Sequence, residues 1–272
     1  MKKLFISMFY STLLFFGATS LVAGDDINAY LTGKHVSVSD AKSKLKGAGF
    51  SVIATYAPVK NGTTLVFTCP KLKKQGAKKG RAHAAVLRMF IDDKEKMVSI
   101  TNPIYFGMAF MQKDYDENVA FDVLEKISQA FPGLVGSKDK LDSGNIAGFH
   151  FMMGMPYYED ADELATADQA ELLAKAKAYK GGKKLIFSLK LSSTSTLLGY
   201  ELGKKTKKFI KKIGRANAAV LPYCIAVENG VASALGAKYY LAISYPQLSM
   251  GEFMTISSVP GAIEKDLKKV FK

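Results

Sequence analysis

Eight residues of this chain occur twice, and they constrain its fold more than any other feature. Gly80-Arg81-Ala82-His83-Ala84-Ala85-Val86-Leu87 returns as Gly214-Arg215-Ala216-Asn217-Ala218-Ala219-Val220-Leu221, 134 residues further on and with one mismatch. Self-similarity at a fixed offset marks a repeated structural unit. The 272 residues are therefore expected to form two copies of one unit, each long enough to bury a core.

Each copy reads as the passage from a helix to a strand. Lysines crowd residues 71–79 before the first copy and 204–213 before the second. They suit a helix C-terminus, where outward carbonyls carry partial negative charge. Gly80 and Gly214 then fit the left-handed position just past a helix end. The Ala-Ala-Val-Leu run that follows is apolar on both faces, as a covered strand is. Pro222 comes next in the second copy; lacking an amide proton, it belongs at a bulge or an edge.

Residues 1–24 read as an export signal. Lys2 and Lys3 open it, residues 4–16 are mostly apolar, and Val22-Ala23-Gly24 supplies the small-residue cleavage site. No later stretch approaches the roughly 20 apolar residues that a membrane-crossing helix needs. The mature chain is expected in a bacterial periplasm. Removing Lys2 and Lys3 lowers the net charge from +14 to +12. That surplus favours an anionic small molecule, a lipid headgroup or an acidic protein as partner, or it serves solubility alone. Export argues against nucleic acid. Cys69 and Cys224 would sit where disulfides are permitted. They do not fall at equivalent repeat positions, so a bridge would join the halves; two small buried thiols are the commoner outcome.

In chain order, a helix capped by Ser39 runs to Gly47. Residues 50–56 read as a strand that Asn61-Gly62 turns into residues 63–68. Residues 97–101 give a further strand, and a helix over 116–130 carries Val119, Val123, Leu124 and Ile127 on one face. A helix over 162–179 opens the second copy. Residues 183–189 are matched with 63–69, Ser244-Tyr245-Pro246 with Thr101-Asn102-Pro103, and a closing helix over 259–271 with the helix over 116–130. Offsets that grow from 120 to 134 to 143 between these matches read as loop insertions. The expected fold is α+β: two similar lobes, 25–135 and 161–272, joined by a linker over 136–160. Each lobe is an antiparallel sheet with amphipathic helices packed on it, the product of an internal duplication.

Leu-Pro-x-Cys-Ile-Ala-Val (Leu221 to Val227), a strand ending in Asn102-Pro103 and a closing amphipathic helix resemble the domain of unknown function 302 family, here as two tandem copies. The resemblance implies small α+β units with an antiparallel sheet and no agreed activity. The first copy departs from it with Leu87-Arg88-Met89-Phe90, and the second with Tyr245-Pro246 in place of Asn-Pro. Neither copy therefore holds the full set of family residues.

The chain has no Gly-x-Ser-x-Gly, His-Glu-x-x-His, Cys-x-x-Cys or glycine-rich phosphate or dinucleotide motif, so a binding protein without catalysis is expected. Arg81 and Arg215 are the leading ligand-binding candidates, because they recur and a guanidinium grips a carboxylate or phosphate with two bonds. His83 and Asn217 share one repeat position, which suits hydrogen bonding. Asn102 and Tyr105 complete the candidate set. Tyr105, Phe106, Tyr157 and Tyr158 either line a cleft between the halves or form its packed interface. A basic amphipathic segment with Leu198, Leu202, Phe209, Ile210 and Ile213 on one side either packs on the sheet or lies on an anionic surface. His150, Met152, Met153 and Met155, with Met108, Met111, Met250 and Met254 as further thioethers, are donors that favour copper(I). The same methionines are equally the fillers of an irregular core.

Overall fold

The computed structural model describes residues 25–272; the expected export signal lies outside the described residues. The first half runs through β1 (Asp26–Asn28), β2 (Tyr30–Lys34), α1 (Val38–Gly47), β3 (Ser51–Val59), β4 (Gly62–Thr68) and α2 (Pro70–Gly76). A 3-10 turn over Ala82–Ala85 leads to β5 (Leu87–Asp92), β6 (Met97–Thr101), α3 (Pro103–Met111) and α4 (Glu117–Ala130). Then come β7 (Val135–Gly136), β8 (Lys140–Asp142) and the short α5 (Ser143–Ile146). The second half holds β9 (Asp162–Thr166), α6 (Gln169–Ala178), β10 (Leu185–Lys190) and β11 (Ser195–Tyr200). A 3-10 turn over Thr206–Phe209 and α7 (Ile210–Ile213) precede a second 3-10 turn, Arg215–Val220. The chain closes with β12 (Tyr223–Glu228), β13 (Val231–Ala234), α8 (Ala237–Ser244), α9 (Met250–Thr255) and α10 (Val259–Lys268).

The fold is α+β, with a small two-stranded antiparallel sheet, β1-β8, and two large antiparallel ones among the described residues. One has the order β3-β4-β5-β6-β2-β7 and the other β10-β11-β12-β13-β9, so the first five strands of each follow the same path. Local chemistry sets the hairpins. Asn61, at φ 55, turns β3 into β4, while Asn229 and Gly230, at φ 50 and 79, turn β12 into β13. Asparagine and glycine tolerate this left-handed backbone, which matches the twist of the strands it joins. Asp116 caps α4 by accepting from Val119 N, and the helix buries Ala120, Val123 and Ile127. Val123 and Ile127 meet Leu45 of α1 and Leu65, Phe67, Met89 and Ile100 of the sheet in one core. A larger core runs through both halves, from Tyr105, Phe106 and Phe110 of α3 to Tyr239, Tyr240 and Ile243 of α8.

Several local expectations are corrected. The Ala-Ala-Val-Leu runs are not strands: the repeated segments form 3-10 turns, and pairing begins at Leu87 and Tyr223. Their small apolar residues serve close approach instead. A Cβ built on Gly76 of α2 would lie 2.4 Å from the Ala85 Cβ, so no larger side chain fits either position. Pro222 lies just before β12, where it deprives the ladder of no donor. Residues 162–166 form β9 and pair with β13, leaving only Gln169–Ala178 helical. Asp168 sets that start by capping Ala170 N and Glu171 N. Ser37, not Ser39, caps α1.

Two matches between the halves also fall. Strand order makes β11, not residues 183–189, the counterpart of β4. Asn102-Pro103 opens a helix, whereas Tyr245-Pro246 follows one. The first residues of β6 and β13, Met97 and Val231, are instead 134 apart, the offset of the octapeptide. Part of the linker belongs to the first half, since Lys140–Asp142 pairs with Asp26–Asn28. Both cysteines are free and buried.

Candidate functional site

The repeated turns sit at the seam between the halves, and each reaches into the other half. Gly80 and Gly214 hold φ of 71 and 98 at the point where the chain swings across. Beyond Gly214, Arg215 grips Asp92 at the end of β5 with Nε and Nη2, at 3.1 and 2.7 Å, and Nη2 also donates to Asn61 O. In the opposite sense, Gly80 N donates to Glu228 at the end of β12, at 2.9 Å. The Asp92 side chain is wholly covered. Burial alone would raise its pKa, but Arg215 and the amides of Glu95 and Lys94 outweigh that and hold it below the ordinary carboxylate range.

Arg81 is equally committed. Nε donates to Asp114 at 3.0 Å and Nη1 to Glu159 at 2.8 Å, and the guanidinium lies 5.3 Å over the Tyr158 ring. The two arginines do grip carboxylates, as their chemistry led one to expect, but the carboxylates are the protein's own. Asn217 donates to Ile213 O, and Asn102 caps α3 while donating to Asn28 O. Tyr105 is fully buried, and its hydroxyl donates to Ile243 O. His83 is partly buried with its ring against Phe110. Arg81 lines an open pocket of about 640 Å³ with Lys78, Lys79, Lys113, Asp114 and Glu159, and none of the other five candidates shares it. Tyr105, Phe106 and Tyr158 are packed interface, while Tyr157 stays exposed.

The basic amphipathic segment spends its apolar side on the core. Leu202, Phe209 and Ile210 are buried, Lys207 pairs with Glu201, and Lys212 donates to Thr255 O. Among the described residues no helix is long and apolar enough to cross a membrane. In the linker, the His150 ring lies tilted against Tyr157 at 4.5 Å, and Phe151 stacks on Phe253 at 4.8 Å. Met152 and Met153 are 43% and 96% exposed, not core. One imidazole and three thioethers suit copper(I) by chemistry; the contacts that order this segment are aromatic.

The open feature best suited to a ligand lies elsewhere, in the second half. A cavity of about 590 Å³ opens where the end of β11 meets the chain after α6 and the end of α10. Lys180, Lys184, Lys204, Lys269 and Lys272 ring it, and Tyr200, Leu202, Leu267 and Val270 form its apolar wall. Two carboxylates, Glu201 and Asp266, also line it, but both are occupied. Glu201 binds Lys184 and Lys207 at 2.8 and 2.6 Å. Burial would raise its pKa, and those lysines carry it below the ordinary value. Asp266 accepts from Gly203 N at 2.9 Å and Thr206 Oγ1 at 2.6 Å. Lys180, Lys204 and Lys272 have no carboxylate partner among the described residues. Five ammonium groups against two engaged carboxylates give the pocket a positive field.

Sequence reasoning missed this pocket because its parts are scattered from 179 to 272 and no short motif joins them. The available signal was the lysine surplus at both ends of the second half, where residues 180–184 and 265–272 are each lysine-rich. Comparison of the chain with protein-family models, curated proteins and solved structures found no match.

Proposed function

We propose that this is an exported, periplasmic and non-catalytic binding protein of the kind its sequence resembles, the domain of unknown function 302 type. In this reading it was built by internal duplication, and it takes a small anionic amphiphile in the lysine-ringed pocket of its second half. The observation that carries the reading is the pairing of unneutralised lysines with an apolar wall in one open cavity of ligand size. Ligand pockets combine an apolar lining with a few placed polar groups, and ammonium groups are point charges that tolerate carboxylate or phosphate alike. The arginines at the seam hold the halves together in this scheme and leave recognition to the lysines.

Titration calorimetry with decanoate, decyl phosphate and decanol tests it. Both anions are expected to bind with a salt-dependent affinity, and decanol at least about tenfold more weakly, since a unit charge pair at 4 Å is worth about 1 kcal/mol even in water. Lys204→Glu combined with Lys272→Glu reverses two charges and is expected to weaken the anions by about tenfold or more. Equal binding of decanol, or indifference to the charge reversal, rejects the reading. Native mass spectrometry of protein taken from its own periplasm would then give the mass of the natural ligand.

A second reading, copper handling, is favoured by one observation. The Phe151–Phe253 stack brings the segment carrying His150, Met152, Met153 and Met155 onto α9, which carries the exposed Met250 and Met254. Copper(I) titration against a chelator tests it, with uptake lost in His150→Ala if the imidazole is a ligand.

A further inference from the structure

A positive charge is buried at the seam with no anion to meet it. Arg88, on β5, is 4% exposed. Its Nη2 donates to Pro222 O at 3.2 Å and lies 2.9 Å from the Cys224 sulfur. Its Nε is buried and has no hydrogen-bond partner. Among the described residues no carboxylate forms an ion pair with it. A guanidinium does not give up its proton inside a protein, and a buried charge is ordinarily paired. Something must therefore balance this one.

The protein's own candidates are spoken for. The hydroxyls of Tyr223 and Tyr240 donate to Leu235 O and Val220 O, at 2.5 and 3.1 Å. Burial pushes the Tyr240 phenol up to about 12 despite the neighbouring Arg88. Burial also pushes the Cys224 thiol up, against the pull of Arg88, which keeps it protonated. His83 is held neutral by burial and by the Arg88 charge. Each of these groups adds no negative charge, yet they and Phe110 surround a cavity of about 10 Å³ beside the guanidinium. That is about the room one water molecule requires.

We propose that this cavity holds a single inorganic monovalent anion of halide size, chloride being the common one, bound by Arg88 and completing the seam between the halves. Arg88 Nε–H points to such an ion as its missing acceptor, and a neutral His83 has one N–H to offer it. The site is separate from the lysine pocket and involves none of its residues.

Bromide is the probe. Crystals of the full chain grown in sodium bromide are expected to show an anomalous peak within hydrogen-bond reach of Arg88 Nε; a cavity with no peak, or with a water in it, overturns the proposal. In solution, thermal unfolding is compared in sodium chloride, sodium bromide and sodium gluconate at constant ionic strength. Each tenfold rise in halide above its Kd should raise Tm by about 3–6 °C, and gluconate, too large for the cavity, should not. Equal behaviour in the three salts counts against a bound ion. Arg88→Met should remove the halide dependence. If that variant does not fold, Cys224→Ala decides in its place, because it should keep the halide dependence of the parent. A thiolate absorbance near 240 nm at pH 7 in the parent, lost in Cys224→Ala, with a halide response that arises only once the thiolate is removed, would make Cys224 the counter-ion and sink the idea.

Discussion

Tyr105 and Tyr239 stand 134 residues apart, the offset of the repeated octapeptide, and each donates its hydroxyl into the other's helix. Tyr105 reaches Ile243 O at 2.8 Å, and Tyr239 reaches Ala109 O at 3.1 Å. The two acceptors are also 134 apart. Arg88 donates to Pro222 O across the same interval. The seam is thus built by residues meeting near their own counterparts.

Removing either hydroxyl leaves a buried carbonyl without that donor. Tyr105→Phe and Tyr239→Phe are each expected to cost about 1 kcal/mol, the net value of an ordinary buried hydrogen bond. Urea unfolding with an unchanged m-value checks this, since the loss is local.

Arg215 and Asp92 should show a larger effect. Arg215→Met strands a covered carboxylate, and breaking one partner of a buried pair costs about 3–5 kcal/mol. Arg215 itself is partly exposed, which places the expectation near the lower end. Asp92→Asn added to Arg215→Met should recover part of the loss, and the double-mutant cycle measures the coupling.

Acid should weaken the fold through His83. Burial and the Arg88 charge push its pKa from 6.5 to about 3. The folded-state value lies below the unfolded one, so the unfolded chain takes up the proton first as pH falls. Stability from this group is fully present above pH 6.5 and is lost progressively towards about pH 3. Asn217 occupies the equivalent place in the second copy, so His83→Asn is the natural control. Its urea midpoint should fall less between pH 6.5 and 4 than that of the parent.

The linker offers a place to cut. Met153 is 96% exposed, and Gly154 holds φ 79. Limited proteolysis there should give two fragments that still elute together and unfold in one calorimetric transition, because the larger core runs through both halves. Separate elution in native buffer would show that the chain connection was essential.

The α+β class, the antiparallel sheets, the amphipathic α4 and α10 and the Asn61-Gly62 turn were legible in the sequence, because periodicity and turn chemistry are local. The repeated alanines misled for a physical reason. A run apolar on all sides says only that it is covered, and Ala85 is covered in a tight turn by Gly76 where a strand was expected. The match of residues 183–189 with 63–69 rested on composition, and strand order, which is a long-range property, overrode it. A clearer signal went unused: Tyr105-Phe106 and Tyr239-Tyr240 are aromatic pairs at the octapeptide's own offset. The lysine pocket left only a lysine surplus at 180–184 and 265–272, since it is assembled from residues nearly 100 positions apart.

Because α3 gives to α8 what α8 gives to α3, the contact has the form of an isologous dimer carried within one polypeptide. At these two helices each half presents the donor and the acceptor that the other needs. Two chains could therefore trade halves and keep every bond at the seam. Concentration, and the short tether between the halves, would then decide whether the protein lives as one chain or as an exchanged pair.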